Sequence, residues 1–170
     1  MIFVKNIILI GMPGCGKTTI GKILAKTLNK DFFDADDVFE KTLNIKIPDF
    51  FKNHGEDAFR IEETKILKAL TKKSNAVIST GGGIVERSEN KSILHEGSIV
   101  VFINRPLQNI YGDVDTTNRP LLKDDKERLF KLFDRRISKY KDFCHIEIEN
   151  NSTQEETIKK IINEVTCYNG

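Results

Sequence analysis

Residues 11–18 read Gly-Met-Pro-Gly-Cys-Gly-Lys-Thr, which meets the spacing G-x-x-x-x-G-K-[ST] at every fixed position. Each residue type serves the binding of phosphate. The glycines let the backbone curl so that successive N–H groups face phosphate oxygens, and a following helix adds the positive end of its dipole. Lys17 would reach the β- and γ-phosphates, and the Thr18 hydroxyl would ligate Mg²⁺. A glycine-rich turn capping a helix is the rival reading. The four fixed positions arise by chance in about one chain of this size in a few hundred. A strand-like run before them and a helix-period run after them make coincidence rarer still. Cys15 lies inside this loop, close to a helix start, a setting that raises thiol reactivity.

Other groups bear chemistry less clearly. Asp34-Ala-Asp36-Asp37 follows Phe32-Phe33, and side chains at the carboxyl end of a parallel strand face the ligand crevice of such sheets. On an extended backbone, Asp34 and Asp36 would share one side. One could position Mg²⁺ or its water and the other accept a substrate proton; equally, these acids could cap the next helix. Arg60 precedes Glu63 by three residues on one helical face. The pair is either an ordinary ion pair worth a few tenths of a kcal/mol or an arginine held to present its fork to a carboxylate. Arg136 falls within the apolar stripe of Leu129, Leu132, Phe133, Ile137 and Tyr140. A charge there needs a partner, and an internal carboxylate and an anionic ligand fit equally well. Gly81-Gly82-Gly83 would let the backbone pass close to a ligand, or simply turn. Arg119 sits in a polar, non-periodic stretch, 112–125. It could swing onto transferring phosphates or remain a solvated loop charge.

The elements that must position these groups follow from the pattern. The chain has 170 residues, 39% hydrophobic and 31% charged, which suits one globular domain and excludes a disordered or membrane-embedded chain. Twenty-seven Lys and Arg against 25 Asp and Glu leave a formal charge of +2, so no strong field recruits nucleic acid or acidic lipid. Three cysteines with no CxxC pair argue against disulfides or structural zinc and for a reducing compartment. The apolar N-terminus, broken by Lys5 and Asn6, reads as a buried strand rather than a signal peptide. Short apolar runs at 6–10, 31–33, 76–80, 99–103 and 144–148 predict strands. Helix-period segments at 17–28, 37–42, 56–72, 107–111, 126–141 and 155–166 alternate with them, the α/β signature. Ser152 to Glu155 has capping-box spacing. The segment 112–125 reads as a functional lid, since loops of that length are uncommon in compact domains.

Taken in order, these motifs resemble shikimate kinase: the phosphate loop, Asp34-Ala-Asp36, Phe59-Arg60-Ile-Glu-Glu63, the glycine triplet, Arg119-Pro-Leu-Leu122 and Arg136-x-x-x-Tyr140. The resemblance spans nearly the whole chain. It implies a single P-loop kinase domain over 1–170, with a five-stranded parallel sheet in order 2-3-1-4-5, substrate-binding helices at about 34–63 and a lid at about 112–125. It implies transfer of the γ-phosphoryl group of ATP, with Mg²⁺, to the 3-hydroxyl of shikimate. Gly14, Cys15, Gly16, Lys17, Thr18, Thr19 and Arg119 would then bind nucleotide, and Thr18 and Asp34 would serve the metal. Asp36, Arg60, Gly81, Gly82, Gly83 and Arg136 would bind substrate, Glu63 steadying Arg60, with Asp36, Lys17 and Arg119 catalytic. A cytoplasmic monomer that binds neither nucleic acid nor membrane is expected. Two departures bear on the nucleotide. Gly112 stands where many members carry an adenine-stacking arginine, and the lid has Asp113 and Asp115 where basic residues are common. The phosphate loop by itself also resembles that of adenylate kinases, and a regulatory NTP-binding module would keep the loop without needing an acid such as Asp36.

Overall fold

A computed structural model of the chain describes residues 5–112 and 123–169. Its centre is a parallel five-stranded sheet in order β2-β3-β1-β4-β5, the order expected. The strands are β1 (Asn6–Ile10), β2 (Asp31–Asp34), β3 (Ala76–Ser79), β4 (Ser98–Asn104) and β5 (Ile146–Glu149). β1 and β3 are buried at every position and β4 at all but its last. Parallel strands covered on both faces have no polar side to show, which explains NIILI and IVVFI. Only β5 alternates, its isoleucines buried and its glutamates exposed, as fits an edge strand.

The helices are α1 (Lys17–Thr27), α2 (Ala35–Leu43), α3 (Ile47–Thr71), α4 (Asn90–His95), α5 (Leu107–Gly112), α6 (Lys123–Phe143) and α7 (Gln154–Asn169). α1 lays Ile20, Leu24 and Ala25 on the sheet. Its Gly21 lets it approach closely, since a Cβ there would lie 2.6 Å from the Phe32 ring. α2 and α3 form an arm held by an aromatic cluster in which Phe39 meets Phe50 edge-on at 5.2 Å and Phe59 at 4.9 Å. That packing makes a firm mount for the polar residues the arm carries.

Several expectations change in detail. A helical stretch from Ile47 precedes the predicted 56–72 helix, with Gly55 at φ 81, ψ 174 breaking the two apart. α4 and the one-turn 3-10 helix Ile84–Glu86 are too short to show a period. α2 begins at Ala35 rather than 37, so Asp36 lies in a first helical turn and not on extended chain beside Asp34. The capping box of α7 sits one residue later than predicted: Glu156 N–H donates to Thr153 Oγ1 at 3.2 Å, and Thr153 N–H donates to Glu156 Oε2 at 3.4 Å. Other boundaries move by one to three residues, as helix and strand ends do. Arg119, Asp113, Asp115 and most of the expected lid lie outside the described residues. Among the described residues, no helix is long and apolar enough to cross a membrane.

Candidate active site

The turns leaving β1, β2 and β3 meet at the carboxyl edge of the sheet, beside the point where the chain crosses β1 on its way from β3 to β4. Crevices in doubly wound sheets form at such places. A cleft of about 700 Å³ opens there. Its floor is the phosphate loop, with Gly14, Gly16, Lys17, Thr18 and Thr19 in the wall, and Asp34, Asp36, Gly81 and Gly82 face it. Gly14 and Gly16 adopt φ of 79° and 99°, conformations that a side chain would strain, so the loop can turn its N–H groups inward.

Lys17 is buried, and its ammonium donates to the carbonyls of Gly11 and Met12 at 2.8 and 2.9 Å. The loop therefore holds its own cation in place on the cleft floor. Cys15 does not join it there. Its side chain is fully buried, its Sγ 3.6 Å from Lys17 Nζ, and the reactivity expected from its place in the sequence gives way to that burial. What Cys15 offers outward is backbone, and its carbonyl accepts from Asn150 Nδ2 at 2.9 Å.

Asp34 caps the next helix, as one of its two readings expects, and its other oxygen faces Thr18. Oδ1 caps α2, accepting from Asp36 N–H at 3.0 Å and Asp37 N–H at 3.4 Å, while Oδ2 accepts from the Thr18 hydroxyl at 2.6 Å. A hydroxyl and a carboxylate side by side are hard oxygen donors of the kind Mg²⁺ takes when nucleotide phosphates and water complete its shell. Among the described residues no group of three or more acidic, His or Cys side chains is placed to hold a metal by itself. The donor set thus fits a metal that arrives with a nucleotide. Asp36 is exposed at the cleft mouth, where the surrounding protein still strips part of its hydration. That partial desolvation, with Asp34 close by, pushes its carboxyl above the usual range, and Lys17 works in the opposite direction.

The glycine triplet links this cleft to both arginines. A Cβ on Gly81 would lie 3.1 Å from Asp36 Oδ1 and 3.0 Å from Glu63 Oε1. One on Gly82 would lie 2.6 Å from the Pro13 ring, and one on Gly83 would collide with the Arg60 guanidinium. Each glycine thus has a neighbour that fills the space of its missing side chain, which the turn reading did not require. Arg60, Gly83 and Arg136 do not line the cleft itself: the Arg60 guanidinium packs at Gly83, and Arg136 lies near enough to Glu63, the partner of Arg60, to act on it. Arg60 donates to Glu63 at 2.8 Å and Glu56 at 3.3 Å, with its guanidinium over the Phe59 ring. Its Nε is buried without a hydrogen-bond partner. This is no surface ion pair, since Glu63 is buried. Burial raises the Glu63 carboxyl, against the pull of Arg60.

Arg136, on α6, is also buried, and one edge of it has a carboxylate partner within the chain: Nε donates to Glu86 Oε1 at 2.6 Å. One turn later, the Tyr140 hydroxyl donates to the Gly82 carbonyl, tying α6 to the triplet. Burial raises the Tyr140 phenol far above its usual range.

Sequence reasoning missed Glu86, Asn150 and Arg105. Glu86 lies in an irregular stretch with no period to mark it. Asn150 bonds Cys15, Asn104 and Thr157, contacts that only the assembled sheet creates. Arg105 enters the cleft just after β4 and donates to the Gly14 carbonyl at 3.1 Å. Its place at a strand's carboxyl end was the available signal. Gly112, at the end of α5, is exposed with open space around it.

The sequence profile of the shikimate kinase family matches residues 13–166. A shikimate kinase of Clostridium botulinum (strain Eklund 17B / Type B) is 45% identical over 93% of this chain and 97% of its own. One from Clostridium beijerinckii is 42% identical over 95% of this chain and 92% of its own. Among solved structures, shikimate kinase from Acinetobacter baumannii in complex with shikimate superposes with a TM-score of 0.89 at 31% identity, covering 97% of this chain and 94% of that one.

Proposed function

Since this chain belongs to the shikimate kinase family, we propose that its cleft transfers the γ-phosphoryl group of ATP to the 3-hydroxyl of shikimate, with the side chains above in the following roles. The enzyme is an ATP-dependent phosphotransferase. The phosphate-loop N–H groups and Lys17 hold the β- and γ-phosphates, and Lys17 exchanges its carbonyl partners for phosphate oxygens. Thr18 and Asp34 hold Mg²⁺ and its water, and the metal, when bound, offsets charge on the phosphates. Asp36 accepts the proton of the 3-hydroxyl as that oxygen bonds to the γ-phosphorus and the bond to the β-phosphate oxygen breaks, releasing ADP. Arg60 and Arg136 grip the substrate carboxylate at the opposite end, and the triplet backbone lies along the ring between. Arg119, in the stretch between α5 and α6 that the sequence reads as a lid, would act on the phosphates.

One observation supports this reading above the rest. A single glycine segment touches the acid at the phosphate cleft (Asp36 at Gly81) and the arginine of the carboxylate site (Arg60 at Gly83). A small hydroxylated acid spanning that segment meets a base at one end and a guanidinium at the other, whereas a nucleotide acceptor would need a base pocket. The cleft lining also includes Arg105, Asn109, Asn150 and Gln154, side chains that would be available to the nucleotide's base where Gly112 offers none. The assigned roles all fall to residues of one chain, which supports a monomer, and its three free cysteines suit the cytoplasm. Coupled ADP release measured with shikimate, gluconate and nucleoside monophosphates as acceptors tests the proposal. Turnover with shikimate alone is expected, and comparable turnover with either other class would overturn it.

A further inference from the structure

Glu86 has no part in the chemistry above, yet three cations of α6 converge on it. Oε1 accepts from Arg136 Nε at 2.6 Å and from Arg135 Nη2 at 2.8 Å, and Oε2 accepts from Lys139 Nζ at 2.9 Å. The three are not equivalent. The Arg136 side chain is 7% exposed, while those of Arg135 and Lys139 are 56% and 38% exposed. The shortest contact therefore goes to the cation with least solvent, where a charge-assisted bond is strongest. It also takes Arg136 by Nε, the side edge of the guanidinium. Glu86 closes the 3-10 turn that directly follows the glycine triplet, so its bond to Arg136 ties α6 to the segment along which the substrate is to lie. The Arg136 guanidinium also lies near enough to Tyr140 and Glu63 to act on their ionisation.

We propose that Glu86 is a positioning residue for the substrate carboxylate: it clamps the side edge of Arg136 and so aims the remaining N–H groups of the guanidinium at the glycine segment. The proposal rests on the reading that Arg136 grips shikimate. Glu86 does not cancel the site's attraction for anions, because one negative charge faces three positive ones. Nor does it lose its own charge in the working range. Burial opposes ionisation, but Lys139, Arg136 and Arg135 overcome it and hold the carboxyl at about 2. The clamp is thus permanent, and the guanidinium is oriented before substrate arrives, which lowers the ordering cost of binding.

Steady-state kinetics on Glu86→Ala, Glu86→Gln and Arg136→Lys, with thermal unfolding of each, test this. Glu86→Ala is expected to raise the KM for shikimate about ten-fold or more, with kcat and the KM for ATP within about two-fold of the parent, since neither depends on this edge of Arg136. Glu86→Gln keeps an oxygen that accepts from Nε but discards the charge, and it should recover most of that loss. An unchanged or lowered shikimate KM in Glu86→Ala overturns the proposal, as does a parallel loss of kcat, ATP affinity and thermal midpoint, which marks a residue of the fold alone. A Gln variant as impaired as the Ala variant overturns the clamp in favour of charge. Arg136→Lys separates the underlying reading from this one. If it leaves the shikimate KM untouched, the carboxylate assignment fails; if it raises KM while Glu86→Ala does not, only the role of Glu86 fails.

Discussion

Asp36 carries opposite demands at one atom pair. To accept a proton it must be ionised, yet desolvation by the surrounding protein and the neighbouring Asp34 favour its neutral form. A carboxylate so placed is a stronger base than one in water, and its ionisation weighs slightly against the fold. Asp36→Asn should therefore lower kcat by about 10²–10⁴-fold while the thermal midpoint stays level or rises a little. A fall in midpoint would show that the residue serves as a helix-start anchor instead. Cys15 gives a second test at this scale. With Cys15 fully buried, Cys144 half-buried and Cys167 exposed, a thiol-directed reagent should label Cys167 first and leave turnover unaffected until the later sites react. Rapid labelling of Cys15, read by peptide mass, would mean that the loop opens without nucleotide. The sequence showed the residue types of the site well: Lys17, Thr18, Asp34 and Asp36 all line or border one cleft. It could not show which way a loop side chain turns, nor that the Arg136 partner is Glu86, because 50 residues separate the two and only folding brings them together.

At the level of elements, the glycine segment and the phosphate loop are packed ring to backbone. A methyl group on Gly82 would sit 2.6 and 2.8 Å from Pro13 Cδ and Cγ, and a proline ring cannot rotate away. Gly82→Ala should push the phosphate loop aside, weakening ATP binding about ten-fold or more and lowering stability by about 1–3 kcal/mol, the usual cost of overpacking; nucleotide titration calorimetry and thermal unfolding would measure the two. The cap of α7 offers a cleaner case. Thr153→Ala should cost about 1 kcal/mol, the ordinary value of an N-cap. Ser152→Ala should cost almost nothing, although both residues precede an acid at suggestive spacing. Equal effects on the unfolding midpoint would contradict the observed cap. These positions also mark how far elements could be read from the chain. Long amphipathic helices and fully apolar strands announced themselves by period, and the sheet order followed from the family resemblance. Short features did not: α4 has six residues and the 3-10 turn three, fewer than two helical turns, so no stripe can form. The Ile47–His54 stretch is too short to show a long period, and Gly55 breaks it from the helix that follows.

Across the whole molecule, catalysis and acid stability sit at opposite ends of the sheet. The cleft occupies the carboxyl edge. At the amino edge, His145 precedes β5 and is joined to Val100 of β4 twice: its backbone N–H donates to the Val100 carbonyl at 2.8 Å, and its ring Nδ1 accepts from Val100 N–H at 2.9 Å. An Nδ1 that accepts cannot carry a proton, so the bonded ring is neutral. The groups facing it oppose protonation further. Its ring lies tilted against His95 at 4.1 Å and Tyr168 at 5.3 Å, and Lys5 is close enough to repel a positive charge. Burial first, then His95 and Lys5, push its pKa below the ordinary histidine value of 6.5. The unfolded chain therefore binds this proton more readily than the folded one, and stability must fall as pH drops below about 6.5, levelling out once the folded ring also titrates. His145→Asn leaves an oxygen near the Nδ1 position to accept from Val100 but removes the titration. Urea unfolding of the parent between pH 8 and pH 5 should show a midpoint that declines on the acid side, and the Asn variant should show a shallower decline. The acid limb of kcat/KM, assigned by the proposed mechanism to Asp36 at the other edge, should be the same in both proteins when measured below the onset of unfolding. Equal stability slopes would mean that other carboxylates govern the acid limit, and a shifted kinetic limb would mean that the two edges of the sheet are coupled.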